Sequence, residues 1–214
     1  MQGLRFDPAK AVTFDLENGL VHLEGAPARL LVPASALGVL CAAAGPEATL
    51  NFGRQLGRAM GRRLASRLGA AAPSAADEDP SAGFRPPVAA AEDRIQGVRA
   101  ASLDTIVDHL GGEVALAGLG SLAIERWGEA MVMVLDQCPL DAEADRLLEG
   151  VLEGALQAAC GRPARALCID RDASRARFLI ASSVALERVR AWLAAGSSWG
   201  EALVRLHSPP RGEA

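Results

Sequence analysis

The amino-acid sequence predicts an α+β domain, with helices packed on one side of an antiparallel four-stranded sheet in the order α-α-α-β-β-α-β-β-α. Three observations carry this prediction. Helix-forming runs with start and stop signals occupy most of the first half of the chain. Two pairs of strand-like runs follow, each pair joined by a tight turn. A single long helical run separates the two pairs. Strands that come in adjacent pairs zip antiparallel, whereas a βαβ nucleotide fold would alternate strand with helix.

Residues 1–32 read as an N-terminal arm, with short mixed runs around Gly19, Gly25 and Pro27 that suit a strand pair. Residues 33–207 form the single domain and 208–214 a tail. PASALGVLCAAA at Pro33–Ala44 is helix-forming, with Pro33 suited to a first turn and Gly45-Pro46 a stop. Pro46 then opens a second helix that runs to about Leu68. Ala70–Val88, rich in Ala, Pro, Ser, Asp and Gly without periodicity, reads as a loop. A third helix is expected over Ala90–Leu110, with Leu103, Ile106, Val107 and Leu110 at core spacing.

After Gly111 the period changes. SLAIERWG and EAMVMVLD form a hairpin around Trp127-Gly128-Glu129. Asp141–Cys160 is a helix whose acidic first turn complements the macrodipole. ARALCID and RARFLIA make a second hairpin around Asp172-Ala173-Ser174. The last helix runs from Ser183 to Ala195, and WGEALVRL extends it or repacks on it.

Composition excludes several functions. The chain has 214 residues, 50% of them hydrophobic and 22% charged, as expected of a folded domain and too apolar for disorder. A net charge of −4 and a pI near 5.5 argue against a nucleic-acid binder, which needs clustered excess cation. Tyrosine is absent, so no phenolic acid, base or ligand is available. Lys10 is the only lysine, and Schiff-base chemistry is not expected. Cys41, Cys138, Cys160 and Cys168 form no CxxC pair and read as free thiols in a reducing, cytoplasmic setting. No segment has the length or apolarity of a signal peptide or membrane span.

Glycines inside helices are the sharpest physical signal. Gly53, Gly57 and Gly61 recur every four residues along one face of the second helix. Gly150 and Gly154, continued by Ala158, repeat the arrangement in the fourth. Each costs about 1 kcal/mol against alanine in a helix interior. Such a face calls for the close approach of another backbone or a flat ligand, and close packing is the favoured reading. Membrane dimerisation is excluded by Arg54, Arg58, Arg62 and Arg63 on the same helix.

Other motifs fail on context. GLGSLA at Gly118 leaves a helix and enters a strand, the reverse of a phosphate-cradling loop. Asp141, Glu143, Asp145, Glu149 and Glu153 read as a solvated acidic face, not an acid–base pair in a cleft. The Arg54, Arg58, Arg62 row also reads as solvated surface, as do His22 and His207.

LGRAMGRRL at Leu56–Leu64 resembles the Gly-x-x-x-Gly-x-Arg-Leu helix of the core subunits of the transport protein particle, a vesicle-tethering complex. LLEGVLEGALQ at Leu147–Gln157 is similar to a second glycine helix of the same proteins. The element order matches their fold and that of the related four-vinyl-reductase-like, or hydrocarbon-binding, domains. EGAPARLLVPASAL and GLGSLAIERWG resemble segments of this second group, and the resemblance spans about Gly19–Leu193. For sensor members it implies a zinc site, and here only Cys168 matches. Arg165, Ala176 and Asp145 stand at the other ligand positions, so the site is degenerate and no metal is expected. The lipid-modified cysteine of tethering subunits would fall in LGAAAPS, which has no thiol, and a haem clamp would need tyrosine. The phenol-sensing members imply a histidine and a tryptophan, to which His109 and Trp127 correspond.

The expected function is a non-catalytic domain without cofactor that dimerises and holds a small apolar ligand between helices and sheet, for sensing or carriage. Phe52, Met60, His109, Leu110, Trp127, Met133 and Phe178 are the candidate lining. Plain core is the competing reading for each. Two alternatives are a ligand-free protein–protein scaffold and an accessory factor in tetrapyrrole vinyl reduction.

Overall fold

The computed structural model describes residues 12–17, 19–23, 30–71, 96–161 and 163–208. Strands β1 (Val12–Asp15) and β2 (Leu20–Leu23) form a two-stranded hairpin. Helices α1 (Ala34–Ala44) and α2 (Pro46–Ala71) meet at Gly45, whose φ of 80° closes the first and frees the second. The expected loop over Ala70–Val88 falls almost wholly outside the described residues.

α3 spans Leu103–Leu116. Of the third helix expected over Ala90–Leu110, positions 90–95 lie outside the described residues, and from 96 on the helix is interrupted and runs on to Leu116. Residues 96–100 are helical, the chain breaks at Ala101–Ser102, and Ser102 caps α3 by accepting from the Thr105 amide at 3.2 Å. Gly111 and Gly112 do not end this helix. A β-carbon on Gly111 would lie 3.7 Å from Leu122, an ordinary contact, so the helix runs through this glycine without requiring it. The helix ends instead at Leu116, and Gly118, with φ of 71°, turns the chain away.

β3 (Ser121–Trp127) and β4 (Ala130–Asp136) form the first hairpin; a single 3-10 turn then leads into α4 (Asp145–Cys160). β5 (Arg165–Arg171) and β6 (Arg175–Ala181) form the second hairpin, where the Asp172 carboxylate accepts from the Ser174 and Arg175 amides. The antiparallel order is β3-β4-β6-β5. α5 (Ser183–Ala194) and α6 (Trp199–His207) close the chain, and α6 starts in a capping box of Ser198 and Glu201. The α+β class, the four-stranded antiparallel sheet and the element order agree with the prediction.

Helices cover both faces of the sheet, rather than one side as expected. Met133, Leu135, Ala176 and Phe178 face a core shared with α2, α3 and α4. Val132, Val134, Leu167, Ile169 and Leu179 face a second core closed by Leu186, Val189, Ala202 and Leu203 of α5 and α6. Alternating side chains of β4 and β6 thus enter two interiors, which is why AMVMVL carries no polar position. Among the described residues, no helix is long and apolar enough to cross a membrane.

Candidate functional site

The inner floor of the sheet is one continuous row. Ile124 pairs with Met133, Met133 with Phe178, and Phe178 with Cys168, so the row crosses all four strands. Met60 and Leu64 of α2 and Leu110 and Val114 of α3 belong to the same core. Met60, Leu110, Met133 and Phe178 are each 2% exposed or less. The structure thus brings four of the candidate lining residues together.

His109, next to Leu110 in α3, is also buried. Burial pushes its pKa below the ordinary 6.5, with the Arg67 charge acting the same way and Asp108 and Glu113 opposing. One turn on, Glu113 is fully buried. Arg63 donates to its Oε2 from Nε at 2.8 Å and also from Nη2, and Arg67 Nη1 donates to Oε1 at 2.8 Å. This pairing ties α2 to α3 beside the floor.

Phe52 and Trp127 lie elsewhere. Phe52 is half exposed on α2. Trp127 is on the outer face of the sheet, edge-on to Trp199 of α6 with ring centroids 4.9 Å apart. Its Nε1 donates to Glu125 at 3.1 Å, and Arg177, held by Glu125 and Asp170, lies over the Trp199 ring at 5.2 Å. Trp127 therefore helps to seat α6. Sequence reasoning did not single out Trp199, although its place three residues before an amphipathic ALVRL run marks a docking helix.

The five glycines line the contact between α2 and α4. A β-carbon on Gly53, Gly57, Gly61, Gly150 or Gly154 would come nearer than 3.0 Å to a backbone carbonyl oxygen of the opposite helix. Gly150 and Gly53 face each other across this seam, and the two backbones fill the space that a flat ligand would need.

Of the expected acidic face, Asp141 and Glu143 are exposed, whereas the carboxylates further along, on α4, are not solvated. Glu149 and Glu153 are buried against β5, the edge strand. Glu149 accepts from the Cys168 amide at 2.9 Å and Glu153 from the Ala166 amide at 3.1 Å. One helical turn matches two residues of strand, so the two carboxylates cap alternate free N–H groups of the sheet edge. Arg146 pairs with Glu149, and Arg54 and Arg165 with Glu153, so Arg54 is an internal ion-pair partner and not solvated surface.

Cys168 is the one matched position of the implied zinc set. Burial, aided by Asp145, pushes its thiol up to about 12. Asp145 holds Arg171, whose Nε donates to it at 2.7 Å while Nη1 donates to the Leu140 carbonyl at 3.0 Å. Among the described residues, no three His, Cys, Asp or Glu side chains are grouped to hold a metal ion.

The chain is similar to a sensory domain of known structure, the phenol-responsive sensory domain of the transcription activator PoxR with phenol. The two share 14% sequence identity with a TM-score of 0.48, and the match covers 94% of each chain. No family model matches the chain, and no curated protein does.

Proposed function

We propose that this chain is a non-catalytic binding domain that takes a small, mainly apolar molecule between α2, α3 and the inner face of the sheet. One observation carries the reading. A buried histidine with a lowered pKa stands directly before Leu110 on the helix that supplies that leucine to an apolar cluster holding two methionines and a phenylalanine. Methionine side chains repack at low cost, so Met60 and Met133 can make room for a guest that Leu or Ile would exclude. A neutral imidazole supplies the single polar contact that orients such a guest. The reading is non-catalytic because the buried reactive groups are committed to structure. The Cys168 thiol is far from ionising, Glu113 is paired with two arginines, and Glu149 and Glu153 cap a strand.

Binding of benzene and phenol to the full chain, followed by calorimetry and by NMR shifts, tests this reading. Both are expected to bind, with phenol the tighter because its hydroxyl can meet His109. His109→Phe should abolish that preference, and Met60→Trp, which fills the space, should abolish both. Native mass spectrometry with organic extraction is expected to find an apolar molecule near one per chain. Failure of both probes, with no co-purified molecule, would leave the domain as an assembly module without a ligand.

A further inference from the structure

His207 stands in the last turn of α6 and reads from the sequence as solvated surface. The residue is exposed, yet both nitrogens of its ring are engaged. Nδ1 lies 2.7 Å from the Leu203 carbonyl oxygen, one turn back on the same helix. Nε2 lies 3.1 Å from the Glu129 amide nitrogen, in the turn between β3 and β4. A carbonyl oxygen only accepts and an amide N–H only donates, so the two partners fix the ring. Nδ1 carries the proton and Nε2 is the bare acceptor. The ring rests on the backbone of the turn, because a β-carbon on Gly128 would lie 3.4 Å from its Cδ2 and 3.6 Å from its Nε2. The end of α6 closes without help from the turn. Ser208 donates to the Val204 carbonyl from its amide at 3.1 Å and from its hydroxyl at 3.0 Å.

We propose that His207 is a proton-operated latch, which holds the β3–β4 turn on α6 through its bare Nε2 and releases the turn when that nitrogen is protonated. Imidazolium donates at both nitrogens, so an Nε2–H would oppose the Glu129 N–H. The Nδ1 bond to the Leu203 carbonyl survives, and the positive ring then sits at the C-terminus of α6, where the macrodipole favours it. Protonation thus strengthens the ring's hold on its own helix and ends its hold on the sheet. Histidine makes this change between about pH 8 and pH 5. The charged groups on the surrounding elements are mostly committed. On α6, Glu201 is held in the capping box and Arg205 by Ser197. On the sheet, Glu125 is held by Trp127 and Arg177, and Arg126 falls on the opposite face of β3 by strand alternation. Glu187, Arg188 and Arg190 of α5 are exposed. Glu129 is exposed too, and its carboxylate is the rival partner for a protonated ring. Trp199 against Trp127, and Leu203 in the second core, keep the rest of α6 docked, so the release is confined to the turn. The proposal does not depend on the ligand reading, since neither His207 nor Glu129 belongs to that site.

NMR of the isotope-labelled full chain, titrated from about pH 8 to about pH 5, tests it. At the upper end the ring nitrogens should report the Nδ1–H form, and scalar coupling across the N–H···N bond should join His207 Nε2 to the Glu129 amide. That coupling is expected to vanish in step with protonation of the ring. Water exchange of the Glu129 amide should rise about 5-fold beyond the intrinsic effect of pH, while the amides of the last turn of α6 keep their protection. His207→Phe keeps a ring over Gly128 without an acceptor, and should leave the Glu129 amide open at every pH. Glu129→Gln removes the rival carboxylate but not the amide, so the response should persist. A Glu129 amide that stays bonded while the ring titrates overturns the proposal, as does a ring that carries its proton on Nε2 at the upper end. Loss of the response in Glu129→Gln overturns it in favour of the carboxylate, and joint loss of the α6 amides overturns it in favour of unfolding. The wild-type titration decides the case alone if His207→Phe does not fold.

Discussion

Gly57 of α2 lies against Val151 of α4 with no room for a side chain between them. A β-carbon on Gly57 would approach the Val151 carbonyl oxygen more closely than 3.0 Å and the Ala155 nitrogen to 2.8 Å, and both are backbone atoms that cannot swing aside. Gly57→Ala must therefore push the two helices apart. Alanine's better helix propensity returns about 1 kcal/mol, against a strain cost of roughly 3 kcal/mol or more in a packed interior. A net loss of about 2 kcal/mol, or roughly 4–8 °C in Tm for a chain of this size, is expected in thermal unfolding. Gly200→Ala, which faces open space in α6, should raise Tm slightly. Equal effects from the two would show that the seam is looser than this geometry.

The glycine seam was legible in the sequence because a glycine inside a helix needs a reason, and three at a spacing of four share one. The burial of Glu149 and Glu153 was not. Carboxylates at i and i+4 have the same period whether they face water or a strand edge, and only the sheet order brings the free amides of β5 to them. The Gly111-Gly112 pair misled for a related reason, since glycine is only a weak breaker and the helix runs through both to Leu116. The second core had a readable signal. β4 is apolar at consecutive positions, which a sheet with one wet face does not require. For the site, Met60, Leu110, Met133 and Phe178 followed from period and strand pairing, whereas the position of Trp127 depends on strand parity near the turn.

Glu113 is fully buried between two arginines that are partly exposed. Glu113→Ala removes the acceptor that both guanidinium groups share. Breaking a buried pair costs roughly 3–5 kcal/mol, and the water access of Arg63 and Arg67 places this case at the lower end. Chemical denaturation should show that loss, and Glu113→Gln, which keeps an acceptor oxygen, should recover part of it. A loss under about 1 kcal/mol would mean that the arginines find water at no penalty.

Glu149 has a raised pKa because burial outweighs the Cys168 amide and Arg146. Its ionised form is therefore penalised in the fold, and its contribution to stability, full below the unfolded value, is lost as pH rises through the folded one. Glu149→Gln keeps an oxygen for the Cys168 amide without the charge, and should be neutral or stabilising at pH near 7. Glu149→Leu leaves that amide without an acceptor at a sheet edge, costs about 1–3 kcal/mol and promotes aggregation. Light scattering and denaturation of the pair separate the two effects. Equal stability of the Gln and Leu variants would deny the capping role.

Cys168 has its thiol pushed up to about 12, and Cys41 is raised by burial with Asp141 contributing. At pH near 8 the Cys168 thiol is almost wholly protonated in the fold, and the thiolate is the reactive form. Alkylation followed by peptide mass spectrometry is expected to label Cys168 and Cys41 only as fast as the chain unfolds. Rapid labelling of Cys168 in native buffer would contradict its raised thiol pKa and its partial burial.

His109 titrates differently in the folded and unfolded chain. The buried ring has a pKa below 6.5, so between that lowered value and 6.5 the unfolded chain binds more protons than the folded one. Stability therefore falls as pH drops through this window, and the loss is complete once the folded ring also protonates. His109→Gln cannot take a proton and should flatten that part of the profile. Denaturation midpoints measured at about pH 7.5 and about pH 5.5 should fall further for the wild type than for the variant. Because every other titrating group is common to the two proteins, the difference belongs to position 109. Identical slopes would mean that the imidazole protonates freely in the fold and cannot serve as the proposed neutral contact.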